Sequence, residues 1–359
     1  MRSPKTKKHH QLLKILREHQ DQNLPFVLYK KPRATIVMAL LQTDSELEAG
    51  FDLKRQGFLM TPFHPDDAKQ VFLRADQLYQ TPYRGARLHL TPSLPAKDAV
   101  AREIHMELVS KSVEMLKAGT LKKVVVSRRF SVPAPSDRLE SFFEMIRWYP
   151  DAFGYFWYHP GVGTWMGATP ELFLRYHSGV AETISLAGTR PADPEEALPR
   201  WSSKEEHEQQ LVTDFILDQM RELGLKPQQG EVRDVRAGKL WHLGTSIRTF
   251  LKQEMTPELL AAMHPTPAVC GLPREEAYAF IRRHENYNRE YYTGFLGEVG
   301  LEEADSFEFF VNLRCVQYRN GDAYLYVGGG ITPESDPEAE WEETQEKSTT
   351  MLSLLRNSS

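Results

Sequence analysis

The segments FGYFWYHPGVG (153–163), TWMGATPELFLRYHSG (164–179) and VAETISLAGTR (180–190) follow one another with no helix-length interruption. They are rich in aromatic and β-branched residues, which suit a pleated, half-buried surface. Pro160-Gly161 and Ser178-Gly179 supply turn residues between them. Strands joined by tight turns pair as antiparallel neighbours. The centre of the chain is therefore predicted to be a run of antiparallel hairpins.

Upstream, FVLYK (26–30), ATIVMALLQ (34–42) and GFLMTPF (57–63) read as strands separated by charged or Pro-containing stretches. Residues 96–118 read as a helix, with Val100, Ile104, Leu108 and Leu116 near helical spacing and Gly119 as the stop. KVVVSRRF (123–130) reads as a strand, and SDRLESFFEMIRWYP (136–150) as a capped helix. Downstream, a long helix runs from Ser203 to Leu223, followed by mixed segments and a helix-like stretch at 274–285. FEFFVNLRCVQY (307–318), the turn RNGD and AYLYVGGG (323–330) form a hairpin, with Asn320-Gly321 at its tip. A last helix starts at Asp336-Pro337, an N-cap followed by Pro at the first helical position. No linker, repeat or low-complexity tract divides the chain. The expectation is one large α+β domain over 1–359, with two mostly antiparallel sheets flanked by helices.

The chain has 359 residues, 41% of them apolar and 26% charged, which suits a globular protein with a large core. Its net charge of −5 gives no general attraction to nucleic acid or an anionic membrane. The basic N-terminus MRSPKTKKHH is followed by the charged, amphipathic QLLKILREHQDQ, which lacks the apolar core of a signal peptide. No uncharged apolar run approaches a membrane span. Cys270 and Cys315 lack metal spacing; they could pair in an oxidising compartment but fit a reducing cytosol at least as well. These features lead us to expect a soluble, cytoplasmic protein.

Several residues stand where chemistry is possible. In EAEWEETQEKSTTML (338–352), Glu340, Glu343 and Lys347 share one helix face, which Met351 and Leu354 continue. In SKEEHEQQLVTDFILDQM (203–220), Glu208 begins the apolar stripe of Val212 and Phe215, with Glu205 three residues earlier. Each pair has a plain reading, a salt-bridged face or an acidic first turn that complements the helix dipole. Two helices that each carry such a pair also suit a hard cation such as Mg²⁺, which takes oxygen ligands. Lys123 is either a solvated strand end or, if buried, a general base. Glu171 follows Pro170 at a strand edge, where a desolvated carboxyl can donate a proton. The glycines of VGGGITPESDP (327–337) either permit a turn or let backbone N–H groups approach an anion. They match neither a Walker nor a Rossmann pattern. Arg314 alternates with Leu313 and Cys315, and so points away from the face those two bury, towards a cleft.

Together the blocks KVVVSRRF, GATPELFL, SLAGTR, KEEHEQQLV, LWHLGT, HPTPAVCG, YNREYYTGFLG, VNLRCVQY and VGGGITPESDPEAEWEETQEK resemble the chorismate-utilising enzymes, in family order. The matches lie between about 120 and 352, within a core of 96–356, and residues 1–95 carry no matched motif. The resemblance implies the fold of anthranilate synthase component I. It also implies a Mg²⁺ site at Glu208, Glu340 and Glu343, with Glu205 outside it. Arg314, Tyr292, Lys347 and the backbone at Gly328, Gly188 and Thr189 match positions that hold the carboxylates of chorismate. Lys123 aligns with the lysine that activates water, where anthranilate-forming members usually carry Gln. Ala187 stands where aminating members place a nucleophilic lysine. Ala268 is typical of members that stop at isochorismate, whereas members that go on to salicylate tend to have Thr. The implied reaction adds water through Lys123 as base and expels the ring hydroxyl through Glu171 as acid. Chorismate is then the small-molecule partner, and no glutamine amidotransferase subunit is expected.

Overall fold

Strands that are apolar on both faces need a cover on both, and amphipathic helices provide it on the outer two. The computed structural model describes the chain except residues 1–2, 51, 84, 86–92, 94, 97, 192–197, 238–239 and 358–359. Numbered along the chain, one sheet has the order β1 (Lys5–Thr6), β6 (Gln77–Pro82), β3 (Ile36–Leu41), β2 (Phe26–Lys30), β8 (Phe153–His159), β9 (Gly163–Thr169), β17 (Cys315–Arg319), β18 (Asp322–Ile331), β7 (Lys123–Pro133), β14 (Gly271–Leu272). The other has the order β12 (Gln228–Ala237), β13 (Leu240–Phe250), β11 (Val180–Pro191), β10 (Leu172–His177), β16 (Phe307–Val311), β15 (Phe295–Val299), β4 (Gly57–Thr61), β5 (Val71–Arg74). Among these strands only β1 and β6 run parallel. The α-helices are α1 (His9–Asp21), α2 (Ala99–Lys117), α3 (Arg138–Trp148), α4 (Ser203–Glu222), α5 (Thr256–Met263), α6 (Arg274–His284) and α7 (Pro337–Asn357).

The layers run helix, sheet, sheet, helix. Between the sheets, Val27, Tyr29, Trp157 and Trp165 of the first meet Phe58, Leu296 and Phe310 of the second. The rings of Phe153 and Phe310 stack across this interface with centroids 4.3 Å apart. On the outer side of the first sheet, Phe26, Leu28 and Phe156 pack under α1, α3 and α7. FVLYK is thus apolar on both faces because both are covered. The outer side of the second sheet packs Phe173, Ile247 and Phe309 against α4 and α5.

The α+β class, the two antiparallel-rich sheets and the start of α7 at Pro337 match the sequence reading. Other details differ. FEFFVNLRCVQY is not one hairpin arm, because β16 belongs to the second sheet and β17 to the first. TWMGATPELFLRYHSG divides in the same way, into β9 and β10. Both chain segments step from sheet to sheet, an event that period-2 alternation does not signal. Arg314 lies in such a step, with φ at +47°, so alternation with Leu313 and Cys315 does not set its direction. In α2, Leu108 and Leu116 are buried, but Val100 and Ile104 are exposed. The mixed segments after α4 contain the paired ribbon β12–β13 and helix α5. Residues before 95 contribute β2, β3 and β6 to one sheet and β4 and β5 to the other.

One charged cluster ties the sheets. Lys31, just past β2, forms ion pairs with Glu298 of β15, with Glu308 of β16 at 3.1 Å and with Glu302 at 2.7 Å. Glu298 and Glu308 are buried directly opposite one another, and the Tyr29 hydroxyl donates to Glu298 at 2.6 Å. Burial opposes charge on Lys31, but Glu298 and then Glu308 outweigh it and hold the amine above the usual lysine range. Removing one partner of a buried pair leaves the other uncompensated, at a cost of about 3–5 kcal/mol. Lys31→Met should therefore cost about 3 kcal/mol at pH 7.5 by urea unfolding. The loss should shrink towards pH 4.5, because burial already raises the Glu298 pKa and protonation relieves the unpaired charge.

Candidate active site

A single cavity gathers most of the residues singled out in the sequence. Glu171, Gly188, Glu208, Ala268, Tyr292, Arg314, Gly328, Glu343 and Lys347 line it, as do Glu205 and Ala187. Glu171 and Arg314 arrive on the two sheet-switching steps, which run side by side. Val311 N donates to Glu171 O at 3.0 Å, and Ala168 N donates to Arg314 O at 3.2 Å. The backbone of Thr189 pairs with His242, while its side chain lies outside the described part of the structure.

The floor is β18, where Gly328, Gly329 and Gly330 pair with Ser127, Val126 and Val125 of β7. A Cβ on Gly330 would lie 2.8 Å from Glu208 Oε1 and 3.2 Å from Lys123 Cε. A Cβ on Gly329 would lie 3.2 Å from Glu340 Oε2 and 3.6 Å from Glu343 Oε1. Three carboxylates from α4 and α7 thus converge on a strip that only glycine leaves open. Asp336 caps α7 by accepting from Ala339 N at 2.9 Å, and Ser335 Oγ donates to Glu340 Oε1 at 2.7 Å. Lys347, one turn after Glu343, is 2.6 Å from Glu343 Oε1 and donates to Gly328 O at 3.0 Å. Burial opposes its charge, but Glu343 above all, then Glu208 and Glu340, raise its pKa. Glu205 closes a capping box instead, accepting from Ser202 N at 2.8 Å, which is the plain reading of an acidic first turn.

Lys123 is buried at 1% exposure, so it is not a solvated strand end. Its Nζ is 2.9 Å from Glu208 Oε1 but makes no well-angled hydrogen bond to a described residue. Burial pushes the Glu171 carboxyl up to about 7, against the pull of Lys123 and Arg314. The Arg314 guanidinium has neither a hydrogen bond nor an ion pair among the described residues. Burial lowers its pKa from the ordinary arginine value. Tyr292 is buried, stacks on Tyr326 with centroids 5.1 Å apart and has its pKa raised by that burial.

The described residues contain no group of three His, Cys, Asp or Glu side chains close enough to cage a metal as they stand. The donor set of Glu208, Glu340 and Glu343 around the open glycine strip nevertheless suits a hard cation, which prefers carboxylate oxygens.

Some cavity residues carried no assigned role in the sequence. His242 donates from Nδ1 to Gly188 O at 3.2 Å. Burial first, then Arg314 and Lys347, push it down to about 3, so the imidazole is neutral. It stands in LWHLGT, but a lone histidine in a strand carries no signal by itself. The buried pair Arg289–Glu285, at 2.5 Å, was also missed. Arg289 donates to Val125 O and Val269 O, and Glu285 accepts from Ser127 N at 2.7 Å, so the pair fastens β7 to the segment carrying Ala268.

The two-sheet sandwich thus holds a carboxylate-lined cavity, with Arg314 and Lys347 among the lining residues. The profile of the chorismate binding enzyme family matches residues 12–353, and the chain belongs to that family. It is 30% identical over 262 residues to the isochorismate synthase EntC of Escherichia coli, covering 69% of this chain and 66% of that protein. It is 33% identical over 258 residues to the salicylate biosynthesis isochorismate synthase of Pseudomonas aeruginosa, covering 69% and 53%. These alignments span less than two thirds of the relatives' lengths. Among solved structures, the 2,3-dihydroxybenzoate-specific isochorismate synthase DhbC of Bacillus anthracis superposes with a TM-score of 0.78 at 25% identity, covering 92% of this chain and 96% of that one. Anthranilate synthase component I of Streptococcus pneumoniae shares the fold, with a TM-score of 0.68 at 19% identity, covering 91% and 92%.

The raised Glu171 pKa has a consequence for stability. The folded state holds this proton up to about pH 7, whereas the unfolded chain releases it near 4.5. Folded protein binds more protons in that window, so stability falls as pH rises through it. Glu171→Gln should therefore gain on wild type between pH 4.5 and 7 and hold the gain above. Urea midpoints across pH test this, and a flat difference would show a solvated carboxyl.

Proposed function

We propose that the protein converts chorismate to isochorismate, with a divalent cation, in the cytoplasm. The observation that carries this reading is the buried amine of Lys123, packed against the glycine strip that floors the cavity, with the desolvated carboxyl of Glu171 within its electrostatic reach. The similarity to isochorismate synthases and the buried, unpaired Cys270 and Cys315 support it.

Lys123 takes a proton from water as the water oxygen bonds to the ring carbon beside the carboxylate-bearing one. The ring double bonds shift, and the C–O bond to the ring hydroxyl breaks. Glu171 gives its proton to that departing hydroxyl, which leaves as water. One water enters and one leaves, and proton exchange with solvent resets both groups. Arg314 and the backbone near Gly188 and Gly328 hold carboxylates, while Lys347 keeps Glu343 in place and adds positive charge. The neutral His242 fixes the Gly188 carbonyl. Ala187 offers no amine, so the nucleophile is water. Glu208, Glu340 and Glu343 would hold Mg²⁺, and a bound Mg²⁺ supplies counter-charge for a substrate carboxylate.

Lys123→Ala and Glu171→Gln should each lower kcat by at least about 10²-fold, with KM far less affected. Activity should fall as pH rises past about 7, where Glu171 loses its proton, while the acid limb belongs to the coupled site. Near-normal kcat in Lys123→Ala would reject the lysine as base. Chromatography should show isochorismate in equilibrium with chorismate and little salicylate, as Ala268 suggests; stoichiometric pyruvate would move the chain to salicylate formation. EDTA should abolish turnover and Glu343→Gln should severely weaken Mg²⁺ binding by calorimetry. Full activity in metal-free buffer would exclude the cation.

A further inference from the structure

Asn312 stands between two residues whose backbones are left-handed although neither is glycine, Thr293 at φ +62° and Arg314 at φ +47°. Such conformations persist in L-residues only where the surroundings over-determine them. Asn312, two residues before Arg314 in the chain, uses all its polar atoms to fix the turn at 291–294. Its carbonyl accepts from Thr293 N at 2.9 Å, and its N–H donates to Gly294 O at 2.7 Å. Its side-chain Nδ2 donates to Tyr291 O at 2.9 Å, and its Oδ1 accepts from the Tyr155 hydroxyl at 2.6 Å.

Asn312 is 1% exposed and Tyr155 fully buried, so water cannot take over these bonds. Neither residue lines the cavity, yet Tyr292 and Thr293 on one side, and Leu313 and Arg314 on the other, do. Tyr155 projects from β8 of the first sheet, and its donated hydrogen bond decides which end of the amide faces Tyr291 O. The amide therefore joins two cavity walls to a fixed point in the core.

We propose that Asn312, oriented by Tyr155, is the positioning residue that sets Arg314 and Tyr292 for the substrate's carboxylates. The inference rests on the chorismate reading above. Alanine deletes both side-chain bonds. Aspartate keeps the acceptor for Tyr155 but turns a carboxylate towards Tyr291 O. Tyr155→Phe keeps the packing and removes only the orienting donor.

Steady-state kinetics on chorismate separate positioning from mere stability, because lost ground-state binding reads in KM. Asn312→Ala and Asn312→Asp should raise KM at least about tenfold with kcat within about threefold, and Tyr155→Phe should raise KM about threefold. In an Arg314→Ala background, Asn312→Ala should raise KM little further, since both changes remove one function. If the Asn312 variants fail to fold, Tyr155→Phe carries the test. Lower melting temperature and kcat with unchanged KM would overturn the proposal, as would fully additive KM effects in the double variant. A wild-type protein that neither binds nor turns over chorismate would overturn the functional reading and this inference with it. An active wild type whose Tyr155→Phe and Asn312→Asp variants keep its KM would overturn this inference alone.

Discussion

At two tight steps, 169–172 and 311–315, the chain passes from one sheet to the other, and the two steps are hydrogen-bonded to each other. The placement of Glu171 and Arg314 at the cavity depends on that doubled passage. A continuous strand would place Glu171 and Arg314 on a sheet face, either buried in the sandwich or covered by helices. At a step, the backbone turns away from the ladder and the side chain is aimed by the turn instead. Pro170 suits the first step because it has no N–H to give to a ladder. The second step passes through a left-handed arginine, two residues after the densely bonded Asn312.

The second organising element is electrostatic. Glu208, Glu340 and Glu343 converge on the glycine strip of β18, and like charges at close range repel. Lys123 and Lys347 offset this from opposite sides, one from β7 and one from α7. Neither lysine is displaced into solvent, so the offset is part of the protein's own interior. Burial raises the Glu171 pKa, with Lys123 and Arg314 drawing it towards ionisation.

Much of this was legible in the sequence, and the gaps have physical causes. Hairpin alternation and turn residues gave the class of fold, and Asp336-Pro337 marked the start of α7 because capping is local chemistry. The helical spacing of Glu340, Glu343 and Lys347 placed them on one face, as found. What local pattern cannot carry is the partner across space. Nothing in VNLRCVQY announces a change of sheet, and nothing in ENYNREYY shows that Arg289 and Glu285 are buried together. Glu205, placed outside the metal site in the sequence reading, accepts from Ser202 N at the start of α4, and an acidic first turn reads the same in sequence whether it caps the helix or faces a cation. Val100 and Ile104 keep helical spacing yet face outward, because periodicity alone does not say what lies beyond the helix.

The pairing of Gly328 with Ser127 bears on how the molecule comes into being. The cavity floor joins segments from distant parts of the chain, as do β2 with β8 and β9 with β17. Closing such long loops must precede any reward from the contacts they bring, which makes this a slow-folding topology. No hairpin or helix owns a complete set of cavity residues. The cavity therefore cannot exist in a half-folded chain, and it dissolves as a unit when the two sheets part.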